Sequence, residues 1–200
     1  RRHGDRIFKE CEPMPDAPTL ASTFASAGYQ AYSIGKLHVY PQRDRIGFHD
    51  TLIHEEGRRH LGMAGDDYDQ FLADAGHAGA EYAHGMSAND YMSRAFHLEE
   101  RFHPTNWTAQ ETCRAIHRRD PTRPGFWFMS FSAPHPPLVP PASYLALYDA
   151  AETDPAFIGD WASDHATMPH ALQIRRGGWY TQGHHFLGHE RVLGQARAAY

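Results

Sequence analysis

Two hundred residues, 41% of them hydrophobic, are enough for one packed domain or a piece of a larger one and argue against a disordered chain. The formal net charge of -5 excludes the broad basic surface that nucleic acid or an anionic membrane selects, so any anion must be held locally. Cys11 and Cys113 are too few for a disulfide scaffold, and no apolar run reaches the roughly 18 residues of a membrane span. The chain opens at Arg1-Arg2-His3-Gly4 without Met and stops at Ala198-Ala199-Tyr200 within a helical pattern. The expectation is an internal fragment of a longer protein.

After Pro13, Pro15 and Pro18, Thr19 is placed to cap a helix running to about Ala27, with Leu20, Phe24 and Ala27 on one face. Gly28 ends that helix and Tyr29 to Ile34 follows as a short strand, which terminates in Gly35-Lys36-Leu37-His38. Residues 41 to 88 lack a clean period and read as a long excursion with one helix near Asp67 to Ala75. Asn89 to Arg101 and Asn106 to Arg119 are expected to be helical, the second turning Trp107, Ala109, Cys113 and Ile116 toward a core. Pro121 to Pro124 then turns the chain into Phe126 to Phe131, apolar on both faces like a buried parallel strand. Five prolines between Pro134 and Pro141 stiffen the backbone around His135. Residues 150 to 188 are again irregular, and a helical pattern resumes at Glu190. The expected class is α/β, part of a mixed or parallel sheet flanked by helices.

In an open α/β sheet, ligands bind beyond the carboxyl ends of the strands. Lys36, His38 and His135 all follow strand-like runs, and Lys36 is one of only two lysines among 19 basic residues. An amine with imidazoles around a tetrahedral oxyanion can neutralise charge, protonate a leaving oxygen and donate a hydrogen bond. Sulfate and phosphate esters suit that set.

Several ordered segments carry a resemblance. They are Thr19 to Phe24, Ala27 to His38, Gly47-Phe48 with Asp50, His103 to Trp107, Pro124 to Pro141, Tyr144, and Arg197 to Tyr200. They follow one another in order along the chain, which is far more specific than any one motif. The sequence resembles the sulfatases of the alkaline phosphatase superfamily. The resemblance implies that Lys36 binds the sulfate and reaches toward the nucleophile, that His38 serves the leaving-group oxygen as general acid, and that His135 donates to a sulfate oxygen. It implies a formylglycine nucleophile, made from Cys or Ser in a Cys-x-Pro-Ser-Arg motif, beside a carboxylate-bound calcium. The hydrated aldehyde attacks sulfur in that family.

Residues 1 to 200 depart from the pattern. The family's nucleophile precedes the His-Gly that matches His3-Gly4, and its two metal clusters lie further upstream and beyond the helix at Glu190, so formylglycine and calcium are both expected outside this chain. These residues are thus read as a partial sulfatase catalytic domain with half a site and no metal ligands of its own. The implied partner is a small-molecule sulfate ester, with homo-oligomers possible and neither nucleic acid nor a membrane span expected. A phosphonate monoester or phosphodiester hydrolase, and a non-catalytic binder of sulfated ligands, stay open as alternatives. The compartment stays open between the cytoplasm, the first expectation, and the periplasm.

Three stretches imitate missing parts. Cys11-Glu12-Pro13-Met14-Pro15 lacks the Ser and Arg of the nucleophile motif and reads as a plain thiol. Met63 to Asp67 resembles paired metal aspartates but is better explained as acidic residues opening a helix. Ser163-Asp164-His165, and His184, His185 and His189, lack the converging partners of a calcium or zinc site. Phe126, Trp127, Phe128 and Trp107 read as core, while Tyr68, Trp161, Trp179 and His184 are candidates to line a substrate entrance.

Overall fold

Thr19 caps the first helix, α1 (Leu20–Ser26), through a reciprocal capping box with Ser22. Its hydroxyl also donates to the Ile46 carbonyl at 2.5 Å. This is a computed structural model that describes residues 11–59, 62, 65–88, 90, 92–149 and 190–200. His3-Gly4, residues 150–188, Ser163 to His165, Trp161, Trp179 and the histidines at 184, 185 and 189, for which the sequence raised expectations, lie outside the described residues.

The described residues fall into two compact units, 1–83 with 98–133 and 84–97 with 134–200. The first unit holds a parallel sheet in the order β2-β1-β3, with β1 at Gln30–Gly35, β2 at Asp50–Ile53 and β3 at Gly125–Ser130. Tyr32 pairs with Asp50 on one side and Trp127 on the other, and Gly35 with Ile53 and Ser130, so the three strands end together. The sheet confirms the α/β expectation, and all its pairings are parallel.

Side chains and caps explain this register. Gln30 is buried, and its carboxamide spans to the Asp120 and Arg123 carbonyls at 2.7 and 2.9 Å while accepting from the Asp120 amide at 3.0 Å. The loop entering β3 is thereby tied to the start of β1. At the other end, a Cβ on Gly35 would sit 1.9 Å from the Ser130 carbonyl oxygen, and φ is +100° there. Only glycine allows that approach.

Ala21, Ala31 and Phe48 form a buried cluster with Leu37, Ile46 and Phe126 packed on it. Phe24 stacks on Phe126 at 4.4 Å. Ile34, Ile53, Leu72, Tyr68 and Trp107 are buried as well, drawn from the strands, α2 (Asp67–Asp74) and α3 (Pro104–His117).

Several expectations are corrected. Leu20 is 64% exposed, and Ala21 is the buried residue of α1. Helix α3 buries Trp107, Thr108 and Thr112, while Cys113 faces solvent. Central strand β1 is covered, whereas among the described residues β3 has a strand on one side only, with Phe128 and Met129 exposed. The excursion after residue 41 contains strand β2, which was not expected.

In the second unit, the part of the expected helix Asn89 to Arg101 that runs from Met92 to Phe96 is extended. Leu138 donates to the Met92 carbonyl, and Arg94 and Phe96 donate to the carbonyls of Leu138 and Pro140, at 2.8 to 3.1 Å. The prolines around Leu138 have no amide to donate, but the carbonyls of Leu138 and Pro140 accept, and that draws the neighbouring segment into extended pairing. Among the described residues of that expected helix, the helical part is the short 3-10 turn Glu100–Phe102, in the first unit. Helix α4 (Ala142–Asp149) and the helix Glu190–Ala199 pack against each other.

Candidate active site

Each parallel strand of the first unit hands its next residues to the carboxyl edge of the sheet. After β1 come Lys36, Leu37 and His38; after β2, His54, Glu55 and Glu56; after β3, Phe131 and Ser132. Lys36 is anchored by its own amide, which donates to the Ser130 carbonyl at 3.0 Å, and the His54 amide donates to the Gly35 carbonyl at 3.2 Å. The sheet ladder therefore runs directly into the turn that carries the two candidates.

Lys36 and His38 are half-buried. The Lys36 ammonium lies 2.7 Å from Glu56 Oε2, and the Arg58 guanidinium meets the same oxygen at 2.5 Å. Glu56 and Arg58 are buried, so one carboxylate oxygen is shared by two cations in a poorly hydrated place. That pairing uses one of the ammonium's three donors. His38 adopts φ +56°, an uncommon left-handed conformation for a residue with a side chain. Its amide and that of Leu37 both donate to Glu55 Oε1, the latter at 2.7 Å.

Glu55 is completely buried, and its own amide donates to Asp66 Oδ2 at 2.7 Å. Burial pushes its carboxyl above the usual range, against the amides of His38 and Leu37 and the charges of Arg58 and Lys36. Beside it, His54 bridges Glu81 Oε1 through Nε2 and the Ser132 hydroxyl through Nδ1, each at 2.9 Å. Burial opposes charge on this imidazole, but the hydrogen bond and charge of Glu81, helped by Asp66 and Glu56, more than offset it and raise its pKa.

Sequence reasoning missed His54, Glu55, Glu56 and Arg58. The signal was Thr51-Leu52-Ile53, an apolar β-prone run ending in His-Glu-Glu, the same strand-then-polar grammar that singled out Lys36. Tyr68, expected near a substrate entrance, is instead core: it is buried, its hydroxyl donates to the Phe102 carbonyl at 2.6 Å, and its ring meets His54 edge-on.

His135 belongs to the second unit and is half-buried. Its Nδ1 is 2.8 Å from the Pro136 carbonyl oxygen. A carbonyl only accepts, so Nδ1 carries a proton, and donation from Nε2 requires the imidazolium form.

Among the described residues, no group of three or more His, Cys, Asp or Glu side chains is arranged to hold a metal. Asp66 is the N-cap of α2, in a capping box with Asp69, and Asp67 accepts the Ile53 amide and pairs with Arg43, both at 2.6 Å. These carboxylates are committed to α2 and its neighbours and do not fit a calcium ion. Cys11 is an exposed free thiol.

A three-stranded parallel sheet with flanking helices, carrying a lysine and a histidine on the turn at its carboxyl edge, defines an α/β protein. The sequence is 38% identical over 156 residues to an arylsulfatase of Clostridium perfringens (strain 13 / Type A), a match that covers 72% of this chain and 32% of that protein. No family model matches the sequence. The chain thus spans about a third of the length of the curated relative it matches.

Proposed function

We propose that this chain is part of a sulfatase-type hydrolase that cleaves sulfate esters. The observation that carries the reading is the Gly35-Lys36-Leu37-His38 turn at the carboxyl end of the central parallel strand, in a chain with extended identity to an arylsulfatase. An ammonium 16% exposed, held beside a buried carboxylate, is a point charge of fixed position in a place of low dielectric. Such a charge stabilises an oxyanion far better than one in water.

In this reading Lys36 holds the sulfate oxygens, and His38 transfers a proton to the leaving-group oxygen as the ester bond breaks. For His135 the proposed role is a hydrogen bond to a sulfate oxygen, donated from Nε2 of the imidazolium; its support is the sequence resemblance together with the fixed Nδ1 proton. The calcium and formylglycine that the sequence resemblance implies belong, in this proposal, to parts of the protein outside these 200 residues. The relative's greater length is consistent with that.

The test is turnover of an aryl sulfate by the intact protein that carries this chain. Lys36→Ala lowers kcat by about 10²–10³-fold, the scale of one lost oxyanion contact, while the folded fraction stays unchanged. Wild-type turnover in the variant overturns the role of Lys36.

A further inference from the structure

We propose that Glu55 and Glu56, consecutive at the carboxyl end of β2, are the positioning residues of the Lys36–His38 turn on the neighbouring strand. The inference rests on the sulfate-ester reading for what the turn does, but its argument is separate.

Glu55 and Glu56 follow the end of β2, and each takes one part of the turn. Glu55 holds backbone: Oε1 accepts the amides of both Leu37 and His38, which fixes His38 at φ +56°. A left-handed histidine is strained and persists only where its surroundings over-determine it. A fully buried carboxylate that accepts two successive amides is such a surrounding. Glu56 holds charge: Oε2 draws the Lys36 ammonium to 2.7 Å and is itself fixed by Arg58, while Tyr82 donates to the Glu56 carbonyl at 2.5 Å. Glu56 also sits at φ +54° and is followed by Gly57 at φ +66°, a backbone bend that turns its side chain back toward β1.

Burying carboxylates is costly unless they are paired, and a paired buried carboxylate is poor evidence for stability alone. Fixing the position of the lysine and of the histidine, which need accurate placement around a reacting group, accounts for both carboxylates at once.

A double-mutant cycle on the intact protein separates positioning from general stability, with aryl sulfate turnover and the dissociation constant for inorganic sulfate as readouts. Glu56→Gln keeps the shape and removes the charge. We expect it to lower kcat/KM about 10²-fold, the cost of a misplacement on the order of 1 Å, and to have no further effect in a Lys36→Ala background. Glu56→Asp restores part of the loss. Should Glu56→Gln fail to fold, Glu56→Asp against Lys36→Ala makes the same cycle. Glu55→Gln is expected to couple with His38→Gln in the same way. Equal losses with and without Lys36, or no loss on Glu56→Gln, overturn the inference. An inactive wild type with normal Lys36–Glu56 coupling in sulfate binding would instead overturn the hydrolase reading while upholding the positioning role.

Discussion

Gly35 carries the geometry of the whole carboxyl edge. A methyl group there would meet the Ser130 carbonyl at 1.9 Å with φ at +100°, and neither the strand pairing nor the Lys36 amide bond to Ser130 could survive unchanged. Gly35→Ala is expected to destabilise the protein by about 2–5 kcal/mol, from left-handed strain plus overpacking, measurable as a fall in urea midpoint at constant m. The glycine before Lys36 was legible in the sequence as part of the motif. Its physical reason, the approach to β3, was not, because a contact between residues 35 and 130 leaves no mark in either local pattern. The same holds for Glu55 and Glu56, whose function is defined only by what parallel pairing of β1 and β2 brings alongside them.

Elements were legible where caps and punctuation agree with the period. Thr19 with Ser22 marks α1, Asp66 with Asp69 marks α2, and Pro104 opens α3 at its first turn, where a proline has no bond to lose. Strand β2 was missed because its four residues, Asp50–Ile53, are too short a run to show alternation. The segment from residue 92 failed differently: a helical composition was overridden by accepting carbonyls at Leu138 and Pro140.

Beyond β2, the Glu81–His54–Ser132 chain ties the strand's end to the 3-10 turn Ala80–Tyr82 and to the end of β3. His54 has a raised pKa in the folded protein, so the native state holds its proton more tightly than the unfolded chain. The stabilisation is complete below the ordinary value of 6.5 and is lost as pH rises through the raised value. His54→Gln should therefore cost about 1.5–3 kcal/mol below that ordinary value, and the difference from wild type should shrink in alkaline solution. Thermal melts of both proteins across pH check this, and a pH-independent difference contradicts it.

At the scale of the whole molecule, the α/β class with a parallel sheet followed from two strand-turn units, and the structure places both in one sheet with a third strand. The position of Lys36 and His38 at its carboxyl edge also followed, because that edge is where an α/β sheet presents side chains from loops. How the charges there are held did not, since it depends on residues 54 to 58 lying beside the turn. Sulfate and phosphonate esters share a tetrahedral, anionic centre, and a fixed ammonium serves either. The identity with an arylsulfatase favours the first.

The measurement that bears most directly on the central claim is the initial rate of the intact protein on an aryl sulfate and on the matching aryl phosphonate monoester, each with and without Lys36→Ala. The account predicts faster hydrolysis of the sulfate and a loss of that activity on substitution. A large preference for the phosphonate, or sulfate turnover indifferent to Lys36, would contradict it.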